Sequence, residues 1–509
     1  MKKILALLAF FGLVFVSCSD DDDVTPPSTS EPPPIEFTSG SANFSNYVAV
    51  GNSLTAGFSD NALFEDGQIA SYPNMLSSNF ALVGGGPFEI PFMADGLGGA
   101  TFMGEPILGN RLILSFASGS PAPVPVTGTG TTEITNVLTG PFNNMGVPGA
   151  TSFQLLAEGF GNLAGVPVQQ ANPYFARFAS DPNATVIGDA VAQDPTFFSL
   201  WIGNNDILGY ATSGGVGIDH NETGNLDPST YGGSDVTNSS VFASVYQTLL
   251  QSLTAGGAQG VVANIPDVTS IPFFTTVPHN PVPLDEATAA LLNGAYAAYN
   301  GGLQQLAGVE VAPGFIPLSV EEAERRMISF AAGDSNAVVI LDEDLSDLTG
   351  INPGLINLRQ ATAEDLLVFT SQTFIGTLAN PDDPTSINGV AVPLADQWVL
   401  TPEEQEVASN AVAAYNQTIE ALATQFDLAL VDANAYLRDV IAASGEPLAD
   451  GSVVTDTYAT GGGFSLDGVH PSPRGYALLA NLFVEAINEK YGSNLPGVNP
   501  LDYTGLYID

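Results

Sequence analysis

The chain has three histidines, and one of them has a carboxylate at a useful spacing. His470 lies in Gly463-Phe464-Ser465-Leu466-Asp467-Gly468-Val469-His470-Pro471, with Asp467 three positions upstream. A turn of that length can bring the carboxylate to one ring nitrogen and leave the other facing outward. This is what a general base needs: an acceptor orients Nδ1, and Nε2 is free to take a proton. His220, in a polar loop, and His279, among prolines, read as plain loop residues. A candidate hydroxyl for such a base stands near the other end of the chain, at Ser53. The pair by itself also reads as a capping Asp and a surface His, and Ser53 by itself also reads as a helix N-cap.

The elements around these residues must position them. Tyr47–Val50 is an apolar run suited to a parallel core strand, and Gly51 permits a tight bend after it. Ser53 then falls at the C-terminal edge of a sheet and near a helix N-terminus, where the helix dipole favours developing negative charge. Thr196–Ile202 reads as a second core strand, ending in the turn Gly203-Asn204-Asn205-Asp206. Gly260–Ile265, a short Val338–Leu341 and Leu428–Asp432 read as further strands. Helices are expected at Thr185–Gln193, Val241–Leu253 and Asp285–Leu306. One more is expected after Ala150-Thr151, with Phe153, Leu155, Leu156 and Phe160 as its apolar face. Thr401, Pro402 and Glu404 mark an N-cap, N1 and N3. A last helix should start behind Ser472 and stop at Gly492, burying Tyr476, Leu479, Phe483 and Ile487. Residues 84–140, 207–240 and 270–400 exceed what a compact α/β unit needs and read as loop-rich or β-rich insertions. Residues 496–509 read as a C-terminal tail.

Composition narrows the function classes. Of 509 residues only 13% are charged, and 54 Asp and Glu face 10 Lys and Arg, for a net charge of −44. Such a surface repels DNA, RNA and anionic headgroups, so no nucleic-acid partner is expected. The single cysteine, Cys18, allows no intramolecular disulfide and no Cys-based zinc site. Asp342-Glu343-Asp344 does not continue into a calcium loop, because Asp347 stands where the turn glycine is needed and Pro353 where the last carboxylate is needed. No metal and no cofactor are expected.

The N-terminus reads as an address. Lys2 and Lys3 precede an apolar run, Ile4–Val16, that is short for a bilayer span and suited to a signal segment. Ser17-Cys18 resembles a bacterial lipobox, which makes residues 1–17 a lipoprotein signal peptide and Cys18 the lipidation site. Asp20–Asp23 follow at once and resemble the surface-export signal of Bacteroidetes lipoproteins. Residues 18–43, acidic and then Pro-rich, read as a tether, with no packed structure before about Phe44. The expected place is the cell envelope, lipid-anchored at the outer membrane.

Four short blocks stand in a fixed order: Gly51-Asn52-Ser53-Leu54, Gly146-Val147-Pro148-Gly149, Gly203-Asn204-Asn205-Asp206 and Asp467-Gly468-Val469-His470-Pro471. On these the sequence resembles the SGNH, or GDSL, hydrolase family, and its large Bacteroidetes lipoprotein members. The resemblance implies a three-layer α/β/α, flavodoxin-like fold with a parallel five-stranded sheet, here over residues 44–495 with the insertions above. It implies Ser53 as nucleophile, His470 as base and later acid, and Asp467 as its orienting group. It implies an oxyanion hole from the backbone N–H of Ser53, the backbone N–H of Gly149 and the side-chain amide of Asn205. Asn52 departs from the family pattern, which usually has Asp there. The implied activity is that of a serine esterase or lipase acting on a carboxylic ester of a lipid or an acylated carbohydrate. A carbohydrate acetylesterase, and a non-catalytic surface binding lipoprotein that keeps the fold, are the alternatives.

Overall fold

The structure, a computed structural model, describes residues 36–509 apart from Ser118. The signal segment, Cys18, the acidic run and most of the tether lie outside the described residues. In chain order, strand β1 (Tyr47–Gly51) leads into a one-turn helix α1 (Ser53–Ala56) and then α2 (Tyr72–Ala81). Strand β2 (Asn144–Gly146), strand β3 (Phe197–Trp201) and helix α3 (Asn205–Thr212) follow. Next come helix α4 (Ser239–Thr254), strand β4 (Gln259–Ala263), helix α5 (Glu286–Leu306), helix α6 (Pro402–Gln425), strand β5 (Ala429–Val431) and helix α7 (Pro473–Tyr491).

The five strands form one parallel sheet in the order β5-β4-β3-β1-β2. The protein is therefore a mixed α/β fold built on a parallel sheet. Its register aligns the strand ends: Gly51 pairs with Gly146 on one side and with Trp201 on the other, and Val431 with Ala263. The residues that leave those ends, Ser53, Gly149 and Asn205, therefore start from one edge of the sheet.

Strand residues alternate between two cores, as the pleat requires. Val48, Val50, Phe198, Leu200 and Val262 pack with Leu249 and Leu250 of α4 and Tyr415 and Ile419 of α6. Tyr47, Ala49, Phe197, Trp201, Val261 and Ala263 pack with Met75 and Phe80 of α2 and Tyr476, Phe483 and Ile487 of α7. Because both sheet faces are covered, the strands read as continuous apolar runs. Helix α7 begins three residues after His470, so its seating fixes where that imidazole starts. Removing the fully buried Phe483 side chain would cost about 3–5 kcal/mol.

Several expectations need correction. The sheet's fifth strand is β2, a three-residue segment next to edge glycines that carries no alternation long enough to read. The short strand expected at Val338–Leu341 is present as Val339–Leu341, outside the central sheet, and pairs antiparallel with Leu358–Gln360. It belongs to a separate apolar core made by residues 277–399, with Leu292, Tyr296 and Leu303 of α5 at its centre. The helix expected after Thr151 is only a 3-10 turn, Phe153–Leu156. Packing also starts earlier than Phe44, since the Ser41 N–H donates to the Tyr491 carbonyl at 2.8 Å and Ala42 is buried. The end of the chain is bound rather than trailing: Leu114 and Tyr507–Asp509 exchange backbone hydrogen bonds at 3.0 Å, and the Arg111 guanidinium lies over the rings of Phe64 and Tyr507. Residues 84–140 are β-rich as expected, with a three-stranded and a two-stranded sheet. Among the described residues no helix is long and apolar enough to cross a membrane.

Candidate active site

The bend after β1 is enforced by crowding. A Cβ on Gly51 would collide with the Thr55 hydroxyl and the Trp201 carbonyl, and one on Gly146 with the backbone of Ala56. Asn52 caps α1: its Oδ1 accepts from the Leu54 N–H at 3.0 Å, and its Nδ2 donates to Asn204 Oδ1 at 3.2 Å. Asn52 is fully buried. An aspartate there could accept from Leu54 but could not donate to Asn204, whose own amide would have to turn and donate instead. Ser53 is the first residue of α1 rather than its cap. Gly57 ends the turn in the left-handed region.

Ser53 and His470 meet across 417 residues of sequence. His470 Nε2 lies 2.9 Å from Ser53 Oγ, and His470 Nδ1 lies 2.9 Å from Asp467 Oδ2. The three sequence candidates are thus brought together in a hydroxyl–imidazole–carboxylate chain. Asp467 is held on both oxygens. Its Oδ1 accepts from the backbone N–H groups of Val469 and His470 at 2.8 Å each and from Ser465 Oγ at 3.0 Å. Its Oδ2 also accepts from the Asn61 N–H at 2.9 Å. Burial works to raise the Asp467 pKa, but the His470 charge and these hydrogen bonds outweigh it and hold the carboxyl down at about 2. Asp467 therefore remains an acceptor at neutral pH.

A second set of contacts, which motif reading did not find, locks the two halves of the site together. The turn after α1 grips the Ser465–Asp467 turn: the Asp60 N–H donates to Ser465 Oγ at 2.9 Å, and Asp60 Oδ1 accepts from the Leu466 N–H at 2.9 Å. Burial pushes the Asp60 carboxyl up to about 6 against the pull of that Leu466 bond. The Phe58 ring stands 4.6 Å from the His470 ring, and Tyr476 of α7 donates its hydroxyl to the Phe58 carbonyl at 2.7 Å. In the sequence Ser59, Asp60 and Asn61 read as ordinary turn residues, and their types carry no long-range information.

Asn205 opens α3 at the end of β3, and its Nδ2 donates to the Ala150 carbonyl at 2.8 Å. One amide hydrogen remains for another acceptor. Asp206, next to it, is fully buried and accepts from the Ser152 N–H at 2.7 Å and from Ser152 Oγ at 2.6 Å. Burial raises the Asp206 carboxyl to about 6 despite those bonds. Asn205 and Asp206 together pin the Gly149–Ser152 loop to the sheet edge. Gly149 has a φ of 81°, with open space where a Cβ would stand. Among the described residues neither the Ser53 nor the Gly149 N–H has an intramolecular acceptor. Two backbone donors and one amide hydrogen are thus unspent at this edge.

Ser53, Asn205 and His470 line a cavity of about 110 Å³ whose other walls are mainly apolar, including Leu208, Val268, Ile271, Leu437, Ile441 and Leu478. Gly149 lines a neighbouring, more polar depression, and Asn205 and Leu208 border both. The expected polar loop His220 is in fact buried. Its Nε2 lies 2.8 Å from Asp235 Oδ2, its Nδ1 3.2 Å from Thr223 Oγ1, and Tyr231 stacks on its ring at 3.8 Å. It organises the loop between α3 and α4 and touches none of the Ser53 group. His279 is half-buried, and its carbonyl accepts from the Val338 N–H. No family model matches the chain, and no curated protein or solved structure matches it.

Proposed function

We propose that the protein is a serine hydrolase of carboxylic esters, a member of the SGNH/GDSL hydrolases with their three-layer, flavodoxin-like α/β/α arrangement. The observation that carries this reading is the continuous chain from Ser53 Oγ through both His470 nitrogens to Asp467. His470 Nε2 takes the Ser53 proton as Oγ attacks the ester carbonyl, forming the bond of a tetrahedral intermediate. The oxyanion is received by the Ser53 and Gly149 N–H groups and the free Asn205 amide hydrogen, each such donor being worth about 3–4 kcal/mol in the transition state. His470 then protonates the leaving alcohol, giving an acyl-Ser53. Water, deprotonated by His470, attacks the acyl carbon and releases the acid and free Ser53. Asp467 holds the imidazole in the tautomer that keeps Nε2 basic.

The apolar walls beside Ser53 favour an acyl chain over a bare acetyl group, because a polar sugar gains little from that lining. Lipid anchorage through Cys18 at the cell envelope completes the proposal and rests on the N-terminal sequence alone. Labelling with a fluorophosphonate tests the reading directly. One phosphonyl adduct per chain is expected, on the peptide containing Ser53. An unlabelled folded protein, or an adduct elsewhere, would sink the assignment.

A further inference from the structure

A second constellation shares no residue with the Ser53 group and does not depend on the esterase reading. Glu343, Asp396 and Glu404 come from three separate segments, and each places a carboxylate oxygen within 4.8 Å of the other two. Glu404 is the N3 residue of α6. Its Oε2 accepts from the Thr401 N–H at 2.6 Å and from Thr401 Oγ1 at 2.9 Å, the capping box expected from the sequence. Its Oε1 is buried with no hydrogen-bond partner, in a side chain whose residue is only 5% exposed. Helix capping therefore accounts for one oxygen and leaves the other, packed against Gly215, buried without a partner in a side chain that belongs to the cluster.

The surroundings hold that oxygen in place. Gly214 and Gly215, just past the end of α3, have φ of 69° and 81°. A Cβ on Gly215 would collide with the Glu404 carboxylate, and one on Gly214 with the Asp396 carbonyl. Among the described residues no Lys or Arg pairs with Glu343, Asp396 or Glu404, while Arg325 is directed to Asp342 and Glu403 at 3.6 Å. Carboxylates this close share either a proton or a cation. Three carboxylate oxygens within 4.8 Å of one another can all reach one divalent cation, and calcium, which takes oxygens at about 2.3–2.6 Å in a flexible shell, tolerates irregular spacing. The shell of magnesium, about 4.2 Å across, is tighter and demands near-ideal octahedral geometry. Asp396 is half-buried and Glu343 exposed, which leaves an approach from solvent and room for water ligands.

We propose that Glu343, Asp396 and Glu404 form a binding site for a calcium-sized divalent cation, which clamps the 270–400 region and the end of α3 onto the start of α6. The sequence expectation of no metal missed it because the ligands lie 53 and 8 positions apart (343 to 396, 396 to 404), outside any contiguous loop pattern.

The test is thermal unfolding of the full chain at pH 8, first with chelator and then with calcium or magnesium chloride at about 1 mM and fixed ionic strength. A Glu343→Gln/Asp396→Asn double variant is compared with Glu105→Gln/Glu489→Gln, which removes two exposed carboxylates elsewhere. Calcium should raise the midpoint of the parent and of the remote variant by about 2–5 °C, magnesium by less, and the double variant not at all. Titration calorimetry should give one tight ion per parent chain and at least tenfold weaker binding in the double variant. An equal calcium shift in the double variant would show diffuse binding to an acidic surface and overturn the proposal. No shift in the parent would also overturn it, leaving a proton shared among the carboxylates.

Discussion

The protein contains the same three chemical groups twice. At one place Ser53, His470 and Asp467 form a hydroxyl–imidazole–carboxylate chain with contacts of 2.9 Å. At the other, Thr223, His220 and Asp235 do so at 3.2 and 2.8 Å. Imidazole burial does not separate them in the expected direction, since the His220 side chain is 5% exposed and that of His470 15%. What differs is the ring orientation, reversed at His220 so that Nδ1 faces Thr223 and Nε2 faces Asp235, and everything beyond the three groups. Ser53 stands at the bend after a core strand with unspent N–H donors and an apolar cavity beside it. Thr223 is an exposed residue at the end of a one-turn helix, and its Oγ1 already accepts from the Asn225 N–H. Tyr231 covers the His220 ring, so that imidazole serves packing. A hydroxyl–His–Asp contact is thus inexpensive to form, and chemistry needs the donors and the cavity as well.

The largest effect should come from the hydroxyls. Ser53→Ala should lower turnover of a short-chain aryl ester by about 10,000-fold or more, and Thr223→Ala should leave it within twofold. Comparable losses in both variants would erase the distinction. The carboxylates should separate next. Asp467→Asn should cost about 10,000-fold in kcat through the wrong imidazole tautomer. Asp235→Asn should leave kcat intact but lower stability by about 1–3 kcal/mol in a urea titration, through lost hydrogen bonds in the 218–236 loop. An Asp235→Asn variant with reduced kcat and unchanged stability would reverse the two roles.

The smallest and most diagnostic effect is in pH dependence. Asp467 is held at about 2, below the ordinary 3.8, so its contribution to stability is complete above about 3.8 and is lost as pH falls through 2. Asp206 runs the other way. Raised to about 6, it keeps a proton in the folded state that the unfolded chain releases, so stability falls as pH rises from about 3.8 through 6. Thermal midpoints of Asp206→Asn should therefore gain on the parent over that upper window, whereas those of Asp467→Asn should lie below the parent above about pH 4 and close on it only as pH falls toward 2. Parallel curves for the parent and Asp206→Asn would contradict the burial effect.

Local patterns carried a good part of the molecule. The Tyr47–Gly51, Phe197–Trp201 and Gln259–Ala263 strands, the Thr401 capping box and the Ser472-capped last helix follow from runs and caps a few residues long, and short-range sterics and hydrogen bonds decide those. Asp467 and His470 were legible for the same reason, being three positions apart on one turn. Ser53 and Asn205 were legible as types at strand ends, although nothing local says that they meet.

Tertiary structure decided what depends on distant chain. The three-residue strand β2 exists because β1 offers it an edge, and Val339–Leu341 lies outside the central sheet because the 277–399 core takes it. Asp60 and Asn61 act on Ser465, Leu466 and Asp467 across about 400 residues, a contact that leaves no trace in spacing. The same holds for the burial of His220 and for the convergence of Glu343, Asp396 and Glu404. By itself the sequence determined which groups could react and which short elements carry them. Only the folded chain decided which groups are neighbours, because burial and long-range hydrogen bonding are properties of the packed whole.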